Sequence, residues 1–314
     1  VKKLLKKIIR PFYYAVTHTG TRISVLLKAK IVKGLLPKAY QDELSFFEDI
    51  RSQTYQDTEY LAKRIRLLTH QVDKIFTLSN KVNRANTAAQ VEARLKDFPV
   101  QTESDRITCE WAAEILSHYR APENGKQAGS PALPHEAAEI ISAAIRTRRS
   151  VRSYQAGGID EAQLKDILEA GLWAPTGCNR QPVEYLAVDG EEDVLFCQKY
   201  AGEFYAFPRE AALNVVVLID PRAYALPHQR HMAYLEGGAA IQNILLTAHA
   251  LGLGSCWMFW NKHDAAFNTR FGLKAWLLPV GLVCIGRPDR QPPIVPKRKC
   301  VLDCLHDKRK NRLI

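Results

Sequence analysis

From Gly237 to Trp260 the chain runs GGAAIQNILLTAHALGLGSCWMFW, without one Asp, Glu, Lys or Arg. So apolar a stretch belongs in a bilayer or inside a folded core. Gln242, Asn243 and His249 punctuate it, and Gly252 and Gly254 break it. The pattern predicts a buried helix over about Gly238 to Leu251, followed by a short strand.

The surroundings of that helix predict a mixed fold. His135 to Arg146 has a helical pattern, and Asp160 is placed as the N-cap of a helix reaching about Ala170. Val183 to Val188, Leu213 to Ile219 and Pro279 to Ile285 are apolar runs of strand length. The elements do not alternate in a strict βαβ rhythm, no G-x-G-x-x-G follows a strand, and no P-loop is present. An α+β fold is therefore expected rather than a dinucleotide-binding sheet.

The chain divides into a basic, mainly helical region, 1–132, and a second domain, 133–314. The boundary is the Pro- and Gly-rich stretch Ala121 to Pro134, APENGKQAGSPALP. Residues 1–40 hold ten Lys and Arg residues, with no acid before Asp42. Leu4, Leu5, Ile8 and Ile9, then Ile23, Leu26, Leu27 and Ile31, fall at helical spacing among them. Such a segment suits either a solvated helix packed on its own protein or peripheral contact with an anionic membrane. Glu59 to Phe76 places Leu61, Ile65, Leu68, Val72 and Ile75/Phe76 on one helical face. Ser104 to Tyr119 does the same with Ile107, Trp111, Ile115 and Leu116.

The formal net charge is +11, which favours acidic ligands. No helix-turn-helix, zinc or RNA-binding signature supports nucleic acid as a partner. The seven cysteines form no C-x-x-C pair and no zinc spacing. They are expected to be reduced thiols of a cytoplasmic protein, and no metal site is expected. The basic N-terminus lacks the apolar core and cleavage site of a signal peptide.

Two segments carry chemistry. Arg146 to Tyr154, RTRRSVRSY, crowds Arg148, Arg149, Ser150 and Arg152 at a helix end. Guanidiniums so close repel one another unless an anion lies between them, and their forks match phosphate oxygens. A basic surface turn is the plainer alternative. Trp173 to Pro182, WAPTGCNRQP, is a turn with donors and acceptors suited to a heteroaromatic edge. An ordinary loop would look the same.

In order, RRSVR, APTGCNRQP, AHALGLGSCW and VGLVCIGRP resemble the motif series of the FMN-dependent nitroreductase family. The resemblance covers roughly residues 137 to 305. It implies a nitroreductase-like fold, a central mostly antiparallel sheet flanked by helices, in an intertwined homodimer with FMN at each interface site. It implies that NAD(P)H reduces the flavin and that a small organic acceptor then takes the electrons in a ping-pong cycle. By the same resemblance, Arg148, Arg149, Ser150 and Arg152 hold the phosphate and ring edge. Pro175, Thr176 and Gly177 form a loop supplied across the dimer, with Asn179 on the same turn. Met258, Phe259 and Trp260 match the backbone beside flavin N5, and Lys297 and Lys299 match late basic residues returning to the phosphate. No side-chain acid or base is required. Tyr154, Tyr205, His228, His231 and His263 are candidates for substrate contact, with a structural role as the alternative for each.

The chain departs from the pattern at Thr176, where Ser is usual, at Cys178 and Val183, and in SCWMFWNK, which lacks the usual acidic or glycine residue near N5. Two other readings remain open: a non-catalytic flavin-domain scaffold, and a biosynthetic oxidase or dehydrogenase in bacterial polysaccharide assembly.

Overall fold

The structure is a computed structural model. It describes residues 57–74, 84–120, 133–202, 205–224, 229–290 and 296–304. The basic segment 1–40, Ile75, Phe76, most of the expected linker and His228 lie outside the described residues.

Three helices lie before residue 133 among the described residues: α1 (Thr58–Asp73), α2 (Arg84–Lys96) and α3 (Glu103–Arg120). Ile65, Leu68 and Val72 of α1 meet Ala88 and Val91 of α2 and Ala112 and Leu116 of α3 in one small core. The expected stripe of α1 is thus the face that packs. The stripe of α3 is turned by about one residue. Ile107 is 54% exposed, and Thr108 and Ala112 are buried in its place. Polar pairing explains the turn. Arg66 Nε donates to Thr108 Oγ1 at 3.0 Å, while Asp105 accepts the N–H groups of Gln101 and Thr102.

From residue 133 onward the described residues form α4 (His135–Thr147), α5 (Glu161–Leu172), β1 (Val183–Val188), α6 (Glu191–Ala201), α7 (Phe207–Glu210), β2 (Leu213–Ile219), α8 (His231–Ala250), β3 (Gly254–Phe259), α9 (Ala265–Arg270), β4 (Leu278–Gly286) and α10 (Val301–Cys304). Asp160 caps α5 in a full capping box with Gln163. The four strands form one sheet in the order β1-β2-β4-β3, with every neighbouring pair antiparallel. All of β2 is buried, which explains its unbroken apolar sequence. Pro279 cannot donate to the ladder, and the β2–β4 register shifts beside it.

Two cores sandwich the sheet. On one face Ile241, Ile244 and Leu245 of α8 and Ile167 of α5 pack on Val215, Val217 and Val283. On the other, Cys197, Tyr200 and Phe267 pack on Val216, Leu282 and Cys284. The apolar helix α8 is therefore internal, as its sequence predicts. It begins seven residues earlier than expected, because the buried Glu236 has partners (below) and does not stop it. Among the described residues no helix is long and apolar enough to cross a membrane. Helix α4 is the exception to burial: none of its residues is buried, and Ile140, Ile141 and Ile145 are all exposed.

Candidate functional site

Helix α4 ends where the arginines begin. Thr147 Oγ1 and His249 Nε2 lie 2.8 Å apart, which ties the end of α4 to the last turn of α8. Arg149 folds back and donates through one Nη to the carbonyls of Arg146 and Arg148, at 2.6 and 2.8 Å. The chain then turns extended. Ser150 forms a parallel bridge with Ser255, and the Val151 N–H donates to the Ser255 carbonyl at 3.0 Å. Gly254 permits this approach, since a Cβ there would lie 2.8 Å from the Val151 side chain. Tyr154 locks the segment from below, donating to the carbonyls of Val151 and Cys284.

Charge accumulates at this seam. Burial holds the Arg148 guanidinium below its ordinary pKa, and the charges of Arg149 and Arg298 push it further down. His249 is lowered by burial and then by Arg148 and Arg149. No carboxylate pairs with Arg148, Arg149 or Arg298 among the described residues. Ser255, which bridges to Ser150, has a buried Oγ without a hydrogen-bond partner. Cations near enough to repel one another are what a phosphate monoester would neutralise.

The second motif folds into a strained turn. Gly177–Asn179 is a single 3-10 turn, and Cys178, Asn179 and Gln181 have φ of 56, 52 and 50°. Non-glycine residues avoid this left-handed region unless their surroundings enforce it. Thr176 Oγ1 accepts the Gln181 N–H at 3.2 Å, and Gln181 Nε2 donates to Asn179 Oδ1 at 3.0 Å. The Gly177 N–H donates to Glu236 Oε1 at 2.7 Å, and Tyr224 donates to the same oxygen. Burial raises the pKa of Glu236 against the pull of those two donors.

The turn is anchored at Glu236 and the arginine cluster at His249. Both lie on α8, thirteen residues apart, which at the helical rise is about 20 Å. Within one protomer the two segments therefore attach near opposite ends of α8.

The remaining expected residues separate. Met258 is buried, and Trp260 stacks on Tyr200 with ring centroids 5.4 Å apart, so both side chains serve the core. Phe259 is exposed beside Trp257. Lys297, Lys299 and Arg152 are exposed. Arg298, between the two lysines, is the residue whose charge reaches Arg148. Tyr154 is structural, while Tyr205, His231 and His263 are exposed. Sequence reasoning did not single out Arg298, His249, Ser255 or Glu236. The first was within reach, because alternate residues of an extended PKRK segment face opposite ways.

The described fold and site define an α+β oxidoreductase of the nitroreductase type. The model of the Nitroreductase family matches residues 145–212 and 199–287. A protein of Archaeoglobus fulgidus provisionally named an NADH dehydrogenase/NAD(P)H nitroreductase is 35% identical over 114 residues, 36% of this chain and 64% of that one. The NADPH-flavin oxidoreductase of Vibrio harveyi is 28% identical over 163 residues, 49% of this chain and 68% of its own. A solved structure from Desulfovibrio desulfuricans, provisionally named a nitroreductase and in complex with FMN, is 30% identical, covering 54% of this chain and 96% of that one with a TM-score of 0.45. The C-terminal domain of this chain belongs to the nitroreductase family.

Proposed function

We propose that this protein is an FMN-dependent oxidoreductase that uses NAD(P)H to reduce a small organic acceptor, working as a homodimer with two composite sites. The observation that carries the reading is the mutual repulsion of Arg148, Arg149 and Arg298, with no carboxylate paired to them among the described residues, on the segment that includes Ser150. These groups suit the terminal phosphate of FMN. Bound FMN would supply the hydride chemistry, in two half-reactions that share one pocket. The chain's residues bind and orient: Arg148, Arg149 and Arg298 neutralise the phosphate, with Ser150, Arg152, Lys297 and Lys299 around them. The backbone of Met258, Phe259 and Trp260 lines the ring. No side chain is asked to move a proton.

Two observations support the dimer. The Thr176–Asn179 turn is anchored at Glu236, about 20 Å along α8 from His249 at the arginine segment, which favours a site completed by a second copy. Ile140, Ile141 and Ile145 on α4, Leu235 on α8, and Trp173 are exposed, an apolar surface of the kind that a second subunit covers. Pro175, Thr176, Gly177 and Asn179 would then complete the partner's site. A cytoplasmic setting, and peripheral contact of residues 1–40 with an anionic surface, belong to the same reading and rest on charge pattern alone.

The test is the absorption spectrum of the purified protein before and after anaerobic NADH or NADPH. Flavin bands near ~370 and ~450 nm that bleach on addition are expected. A protein that neither carries flavin nor binds added FMN would overturn the proposal and favour a scaffold.

A further inference from the structure

The N-terminal helices do not stand apart from the flavin domain. The first turn of α1 meets the 3-10 turn Pro221–Ala223 that follows β2. Arg222, with its side chain 2% exposed, forks onto Asp220 and reaches Asp57 and Glu59 of α1. Lys63 comes back from α1, 4% exposed, and pairs with Asp220 at 3.0 Å and Glu59 at 2.7 Å. Lys274 closes the set, donating to Glu59 at 3.0 Å, while the Arg222 guanidinium lies over Trp276 at 3.9 Å. Buried ion pairs add little net stability, but they hold partners in one arrangement, because any displaced charge is left unpaired.

The other end of α1 rests on the strained turn. Lys74, which follows the helix, places Nζ 3.7 Å from Cys178 Sγ. Cys178 is the first of the three residues at positive φ. Such a conformation persists only where the surroundings fix it. Glu236 fixes the turn from α8, and α1 lies against it on another side.

We propose that α1 is a positioning element for the turn 175–181: the Asp57/Glu59/Lys63 to Asp220/Arg222 network seats the helix, and the seated helix holds Cys178 and its neighbours in the geometry that presents Thr176 and Asn179 to the partner's site. The inference rests on the composite site proposed above. It makes the helical region before the flavin domain a working part of the active site.

The test uses the full chain with Asp57→Asn and Glu59→Gln together. These changes weaken the α1 side of the network, keep a cap at position 57 and leave Asp220 to both buried cations. Trypsin cleavage after Arg180, mapped by mass spectrometry, is expected to accelerate about tenfold, because the turn opens more often. FMN affinity is expected to fall by about the same factor. Adding Cys178→Gly should restore most of both, since glycine adopts positive φ without strain and needs no clamp. Unchanged cleavage in the double variant overturns the proposal. So does a loss that Cys178→Gly leaves uncorrected, which would mark α1 as a general support of the fold. If the unmodified protein binds no FMN, the cofactor reading fails, and the cleavage experiment still decides whether α1 holds the turn.

The same network has a pH dependence. Four carboxyls (Asp57, Glu59, Glu184 and Asp220) face three cations (Lys63, Arg222 and Lys274). One shared proton balances them. Burial pushes Glu184 up to about 8, aided by its hydrogen bond to Glu59 and the Glu59 charge. A raised pKa in the folded state stabilises at low pH and is lost as the pH rises through about 8. Hydrogen exchange in α1, corrected for intrinsic rate, is expected to quicken as the pH rises from about 4.5 to about 8 and to level off above that, and Glu184→Gln to remove the change. A pH-independent rate in the unmodified protein would refute this.

Discussion

Replacing Arg148 by alanine is expected to raise the FMN dissociation constant about 100-fold, or roughly 2.7 kcal/mol. A hydrogen bond to a charged group contributes about 1.5–3 kcal/mol, and a guanidinium offers a phosphate two in parallel. Arg148 is only partly buried, and screening by water keeps the figure near the value of one strong contact. Arg148→Lys should lose about tenfold, keeping the charge without the fork. Quenching of FMN fluorescence during titration with apoprotein measures both. Repeating the titration at higher salt should narrow the gap, because the seam is partly open to water. An alanine variant that binds as tightly as the parent would remove the phosphate from this seam.

Replacing Ile141 by glutamate is expected to yield a monomer that does not retain flavin. Ile141 sits in the middle of the exposed face of α4, between Ile140 and Ile145. In a two-fold dimer each substitution occurs twice, so one change buries two unpaired carboxylates, each costing several kcal/mol. Sedimentation velocity should move from a dimer to a single chain, with the α8 core intact by circular dichroism. Flavin should be lost in the same step, since the arginines and the turn would no longer meet. A stable dimer that keeps its flavin would place the interface elsewhere.

Much of this was legible in the residues. Val183–Val188 and Leu213–Ile219 are strands at the bounds their apolar runs predict, because buried β-branched runs of that length have few other uses. Asp160 announced α5 through local capping chemistry, which is visible in four consecutive residues. The family motifs pointed to Arg148 and Ser150; Ser150 bridges to Ser255, and their role toward a cofactor belongs to the proposal above. What stayed hidden depends on pairing between distant residues. Nothing in the residues around Glu236 signals its burial, and only the Gly177 N–H and Tyr224, brought near by the fold, make it tolerable. Nothing local marks Arg222 and Lys63 as buried, since Asp220 and Glu59 are set against them by the fold. The displaced stripe of α3 has the same cause: hydrophobicity alone puts Ile107 inward, and the Arg66–Thr108 bond turns it out.

The length of α8 between Glu236 and His249 also shapes how the protein would behave under mutation. If the turn and the arginines of one site come from different chains, two alleles damaged in different halves can complement. Random pairing joins unlike chains in about half of all dimers, and each such dimer holds one undamaged site beside one that carries both lesions. About a quarter of all sites would then work, although neither allele alone makes any.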